Sequence, residues 1–331
     1  MNTDFQNHFL TRRSMLAVLG ANAAGLPGLL YAQPTWTPSA PVKMVVPYSA
    51  GGGTDVLARL ISTQIGNSLG QAIVIDNKPG ANGILGTNYV YAAPADGHTL
   101  LFAAADFISV APHVYSKVVK FQPDGFAPVA LIAKMGFVLA SNVDNDAKDL
   151  AEVIEQAKGK EVTYAHWGPG STSQMAMELL RSKVPSMKLL AVPYGGAAPV
   201  LNAVMAGEVQ YGFIPTPLAI ASRSKLKLYA LASPQRFAGI KDVPTLAEKG
   251  YVVDADTWFG VLAPPKTPQN VIETLQAQVV KAAADPSLHA RMAERGYTAT
   301  NVAPKDFGHF IKSEYERWGT VVRSANIRVE D

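Results

Sequence analysis

Two segments carry residue types suited to holding a charged ligand. The first is Pro47-Tyr48-Ser49-Ala50-Gly51-Gly52-Gly53-Thr54-Asp55 and the second is Trp167-Gly168-Pro169-Gly170-Ser171-Thr172-Ser173-Gln174. Each follows a short apolar run and precedes apolar residues at helical spacing, which puts both at a helix N-terminus. Glycine lets main-chain N–H groups approach a ligand closely and the helix end adds positive potential, so the natural guest is an anion. The second segment adds three hydroxyls. Pro193-Tyr194-Gly195-Gly196-Ala197 and Ile214-Pro215-Thr216-Pro217 follow further strands and extend the wall of the expected site, as does Asp106 at another strand end. The plainer reading of these turns is an ordinary helix start, capped by Thr54 or Asp55 in one case and by a Ser/Thr in the other.

Chemistry beyond binding finds little support. Gly51 and Gly53 form a G-x-G and Asp76 ends the next strand, but Val56 occupies the third glycine position of a dinucleotide fingerprint, and no P-loop pattern occurs. The six histidines, His8, His98, His113, His166, His289 and His309, include no H-E-x-x-H and no pair at helical metal spacing. With no cysteine, disulfides, Fe–S clusters and thiolate zinc are excluded. Ser171 lacks the G-x-S-x-G elbow of a nucleophile, and His166 beside it reads as a satisfied or surface histidine. Asp55, Asp76 and Asp106 are explained as acid/base groups less simply than as caps or hydrogen-bonded turns. No catalytic residue, metal or cofactor is expected.

The elements that position these segments alternate strand with helix. Val42–Val46 is a strand, and Val56, Leu57, Leu60, Ile61, Ile65 and Leu69 recur at helical spacing. Strands are expected over 72–76, 99–104, 137–140, 162–165, 189–192, 209–214, 227–232 and 258–263. Helices are expected over 83–93, 106–115, 147–158, 171–183, 269–284 and 304–325. This alternation implies a parallel α/β architecture. The chain has 331 residues, 48% apolar and 17% charged, and its 29 Lys+Arg against 26 Asp+Glu leave only +3. That suits a two-domain body with a substantial core and gives no basic stripe for nucleic acid. Arg12-Arg13 precede an apolar stretch from Met15 to Leu30, so residues 1–32 read as a removable, twin-arginine-like export signal cleaved near Ala32. The mature chain is then expected in the periplasm.

Val42-Lys43-Met44-Val45-Val46-Pro47-Tyr48 with the glycine loop, Leu69-Gly70-Gln71, Asp76-Asn77-Lys78-Pro79-Gly80-Ala81 and Ala95-Asp96-Gly97-His98-Thr99-Leu100-Leu101 resemble the solute-binding receptors of tripartite tricarboxylate transporters, the Bug family. The resemblance continues through Val192-Pro193-Tyr194, Asp242-Val243-Pro244-Thr245 with Glu248 and Gly250, Trp258-Phe259-Gly260, Ala263-Pro264 and Trp318-Gly319. It implies a two-lobed periplasmic binding protein fold of the type II-like α/β class, each lobe a mixed sheet flanked by helices and joined by crossing strands. The lobes would comprise residues 33–140 plus 257–331, and residues 141–256. It also implies capture of a small organic acid between the lobes, delivery to membrane transporter subunits, and no catalysis. Carried over to this chain, the ligand-binding positions are Tyr48, Ser49, Gly51, Gly52, Gly53, Thr54 and Asp55 in one lobe, and Gly168, Ser171, Thr172 and Ser173 in the other; Asp106, Tyr194 and Thr216 complete the expected set.

Two departures bear on the ligand. Gln174 stands where many relatives carry His, and Ile214-Pro215 stands where many carry Asp-Asn, so a carboxylate that would pair with a ligand ammonium is missing. The expected ligand is therefore a di- or tricarboxylate or an aromatic carboxylate without an amino group. Tyr48, Phe107, Trp167 and Tyr194 are candidates to stack on an aromatic ring, or to pack in the core. The receptor is expected to be monomeric. The competing readings are an exported cofactor-dependent oxidoreductase and a ligand sensor for a membrane signalling partner.

Overall fold

The computed structural model describes residues 35–302 and 304–328; the expected export signal lies outside them. The chain runs β1 (Val42–Val46), α1 (Gly53–Leu69), β2 (Ile73–Asn77), α2 (Ile84–Tyr91), β3 (Thr99–Ala104), α3 (Ala111–Val114), β4 (Ala127–Met135) and β5 (Phe137–Asn142). It continues α4 (Leu150–Gly159), β6 (Val162–His166), α5 (Thr172–Lys183), β7 (Leu189–Pro193), α6 (Ala197–Ala206), β8 (Tyr211–Pro215), α7 (Thr216–Ala221) and β9 (Leu226–Leu231). The last elements are β10 (Thr257–Ala263), α8 (Gln269–Ala283), α9 (Pro286–Glu294), β11 (Tyr297–Val302) and α10 (Pro304–Ser324).

These strands form two mixed sheets, ordered β11-β4-β10-β3-β1-β2 and β7-β6-β8-β5-β9. Parallel pairing is confined to β2-β1-β3 and to β7-β6-β8. The strands β4, β10 and β11, and likewise β5 with β8 and β9, pair antiparallel. In each sheet the first parallel strand, β1 or β6, lies between the next two, so the two crossovers run on opposite faces and open a crevice at the carboxyl ends.

The chain passes from the first sheet to the second through Gly136 alone, between β4 and β5, ahead of the boundary expected at residue 140. A Cβ at Gly136 would lie 2.3 Å from both Phe237 and Ser233, which leaves glycine as the residue that fits this crossing. The return comes after β9, through residues 232–256, into β10. The terminal helix α10 lays the fully buried Trp318 against the core, with Trp318 Nε1 donating to Glu314 at 3.1 Å.

Five labelled elements beyond those expected, β4, α6, α7, α9 and β11, appear among the described residues. The strand β4 reads APVALIAKM, buried along nearly its whole length, and a strand buried on both faces shows no period-2 alternation. Helix α6 begins Ala-Ala-Pro, where Pro199 reads as a breaker but costs no hydrogen bond in a first turn. Helix α9 and strand β11 likewise fill the stretch before α10. The helix expected over 106–115 is a π-type turn, Asp106–Val110, followed by the single turn α3.

Candidate functional site

The carboxyl ends of the parallel strands in both sheets border one cavity of about 110 Å³. Tyr48, Ser49, Gly52, Gly53 and Thr54 line it after β1, and Asp106 after β3. From the second sheet come Trp167 after β6, residues 195–199 after β7, and Pro215 at the end of β8. Met135, Phe137, Thr257 and Phe259, from the strands where the chain crosses between sheets, close it with mostly apolar surface.

The first of two uncapped helix starts on the cavity is that of α1. Its N-cap is Gly52, in extended backbone (φ −75°, ψ 166°), with no capping side chain. Gly53 and Thr54 line the cavity, and their first-turn N–H groups have no intrahelical acceptor. The expected caps do other work. Asp55 is buried and accepts from Gly51 N–H at 3.0 Å, Arg59 Nε at 2.9 Å and Asn77 Nδ2 at 3.0 Å. Burial pulls its pKa upward, but the bonds from Arg59, Gly51 and Asn77 win and hold it below the usual carboxylate value. Asp55 thus braces the glycine turn from behind, and neither it nor Gly51, whose φ of +87° explains the glycine, lines the cavity. Tyr48 donates to Asn82 Oδ1 at 2.8 Å and packs edge-on against Phe107, a fully buried core ring that does not reach the cavity.

The second such start is that of α6, a helix the sequence did not announce. Its N-cap is Gly196, again without a capping side chain, and Ala197 and Ala198 line the cavity, their first-turn N–H groups without an intrahelical acceptor. Pro199 follows on the lining with no donor to satisfy. Tyr194, expected here, spends its N–H on His166 O at 2.8 Å and leaves the lining to Gly195.

The hydroxyl-rich loop was expected to face the ligand, and it does not line the cavity except through Trp167. Ser171, Thr172 and Ser173 are fully buried. Ser171 caps its own helix, α5, with Ser173 Oγ 3.2 Å from Ser171 Oγ. Thr172 turns its N–H and hydroxyl on Asp106, at 2.9 and 3.1 Å from Oδ1, and the hydroxyl also lies 3.0 Å from Oδ2. Trp167 Nε1 donates to the same Oδ1 at 3.0 Å. Asp106 thereby delivers a carboxylate from the first sheet to the N-terminus of α5 in the second, a place where an anion is favoured. The glycines of this loop answer to backbone geometry: Gly168 and Gly170 have φ of +116° and +72°, and a Cβ on Gly170 would meet Val114 at 2.8 Å. Gln174 closes the turn by accepting from Gly170 N–H at 2.8 Å. Thr216 is buried behind Pro215, its hydroxyl donating to Gly296 O at 2.8 Å.

The electrostatics of the lining are unusual for an anion site. No Lys, Arg or His contributes, and Asp106 is the one carboxylate. Burial raises the Asp106 pKa above the usual carboxylate value, opposed by its bonds from Thr172 and Trp167. Burial, then the nearby Asp106, raises Tyr48 well above the usual phenol value, so it stays a neutral donor. What the lining offers an anion is main-chain dipole: two uncapped helix starts on one small cavity whose other walls are largely apolar. In such surroundings oriented N–H groups hold a carboxylate strongly. His166 is buried against the main chain of Gly168, and burial lowers its pKa, so it stays neutral and off the lining. Among the described residues no cluster of His, Cys, Asp and Glu could hold a metal ion.

Residues 57–327 match the family described as tripartite tricarboxylate transporter family receptor. Among solved structures, MatC from Rhodopseudomonas palustris with bound malate is 32% identical, with TM-score 0.80, over 86% of this chain and 99% of that one. The same organism's Rpa4515 with adipate is 28% identical with TM-score 0.84, covering 88% and 99%. The periplasmic binding protein BugD is 29% identical with TM-score 0.83, covering 88% of this chain and all of that one.

Proposed function

The chain belongs to the receptor family of tripartite tricarboxylate transporters, and from that premise we propose that it captures a small organic carboxylate in this cavity and hands it to the membrane subunits of such a transporter. The observation that carries the reading is the convergence of the uncapped starts of α1 and α6 on a cavity with no cationic side chain. A carboxylate bridging them takes up the unpaired N–H groups of both helices at once. The malate and adipate bound by the two relatives are acids of this kind. Recognition then needs no bond-making step, and the chain works as a periplasmic receptor after loss of its first 32 residues, as a monomer.

The ligand carries no ammonium group. Pro215 lines the cavity and offers no carboxylate there, and the Asp106 oxygens already accept from Trp167 and Thr172. The test is a thermal-shift and calorimetry panel of succinate, malate, adipate, citrate and benzoate beside aspartate and glutamate. One of the amine-free acids at a hundred times its dissociation constant stabilises the folded chain by about 2.7 kcal/mol. Tighter binding of aspartate or glutamate than of their amine-free counterparts contradicts the ligand class. A panel in which no acid binds contradicts the receptor reading itself.

A further inference from the structure

We propose that Thr257 is a ligand-binding residue, its hydroxyl donating to the captured acid alongside the N–H groups of α1 and α6. The inference rests on the receptor reading above and names a contact that neither loop motif contains. Thr257 opens β10, lines the cavity and is 2% exposed. In a strand, residues i and i+2 face the same way. Phe259 lines the cavity too, while the intervening Trp258 packs on Phe307 and Phe310. The Thr257 side chain therefore stands on the cavity face of β10, next to its strand partner Met135, another lining residue.

Its hydroxyl is unpaired. Six buried side-chain polar atoms among the described residues have no hydrogen-bond partner: those of Ser62, Asn82, Ser109, Trp258 and Thr300, and Thr257 Oγ1. Of these residues only Thr257 lines the cavity. Leaving a hydroxyl buried and unsatisfied destabilises a fold, and such costs persist where they serve a site. A carboxylate oxygen or hydroxyl of the bound acid supplies the missing partner.

Two consequences run in opposite directions, which makes the test sharp. Thr257→Val keeps the side-chain shape and removes the orphaned hydroxyl, so the free protein melts at the same temperature or higher. Its affinity for the tightest-binding acid of the panel falls about tenfold or more, as expected for a lost hydrogen bond to a charged group. Thr257→Ser keeps the hydroxyl and stays within about threefold of the parent. Calorimetry and melting curves on the three proteins read both quantities. Unchanged affinity in Thr257→Val overturns the proposal and leaves the receptor reading standing. Equal losses in the Val and Ser variants with a lowered melting temperature overturn it as well, since they mark a packing role. Failure of every acid to bind the parent protein overturns this proposal together with the receptor reading.

Discussion

Gly52→Val weakens binding of the captured acid about a hundredfold, the equivalent of about 2.7 kcal/mol, and leaves the free protein's stability within about 0.5 kcal/mol. The reason lies in where the new atoms go. Gly52 has extended backbone that any residue adopts, and a Cβ there meets nothing nearer than Ser49 O at 3.9 Å. The fold therefore accepts the valine. The cavity does not, because Gly52 lines it immediately before Gly53 and Thr54, whose N–H groups must come within hydrogen-bond distance of the ligand. Losing two charge-assisted bonds at about 1.5 kcal/mol each accounts for the effect. Gly51 is a poorer place to ask the question, since its positive φ strains any side chain and mixes stability with binding. Calorimetry with melting curves on the same samples makes the comparison, and an undiminished affinity means that the start of α1 does not hold the anion.

Asp106→Ala lowers the unfolding free energy by about 3 kcal/mol or more, the largest stability effect expected from a single lining residue. It strips the acceptor from Trp167 Nε1 and from both the N–H and hydroxyl of Thr172, all buried. Asp106→Asn keeps one carbonyl acceptor and the volume, and loses less. Its value is the pH dependence. Burial raises the Asp106 pKa from its ordinary 3.8, so the folded chain binds this proton more tightly than the unfolded chain does. Stability contributed in this way is present at low pH and is lost as pH rises through the interval between 3.8 and the raised value. Asp106→Asn has no such loss, so the stability gap between parent and variant depends on pH across that interval. Urea titrations at a series of pH values measure it. A gap independent of pH means that Asp106 titrates alike in both states.

What the sequence made legible was local. The β-branched run Val42–Val46, three consecutive glycines and apolar residues at helical spacing all lie within one stretch, and strand, loop and helix α1 appear together there. Two helix starts do border one cavity, but the second belongs to α6 and not to α5. In α5 the hydroxyl of Thr172 looks free in sequence, and it is taken by a partner that only folding supplies. Asp106 is 66 residues from Thr172. In α6 the signal was present as Gly195-Gly196 before a helix, obscured by Pro199. Thr257 lies one residue before the strand expected over 258–263, and only the structure places its hydroxyl at the start of that buried strand, two positions from Phe259. Crossing strands and the mixed sheets came from the family resemblance, since antiparallel return strands such as β4 and β11 are set by pairing over long chain separations.

A crystal structure of the mature protein soaked with the tightest-binding acid tests the central claim most directly. The account predicts carboxylate oxygens about 3 Å from the main-chain nitrogens of Gly53 or Thr54 on one side and of Ala197 or Ala198 on the other. A carboxylate seated instead against Ser171 and Ser173, or held by a lysine or arginine elsewhere on the surface, contradicts it.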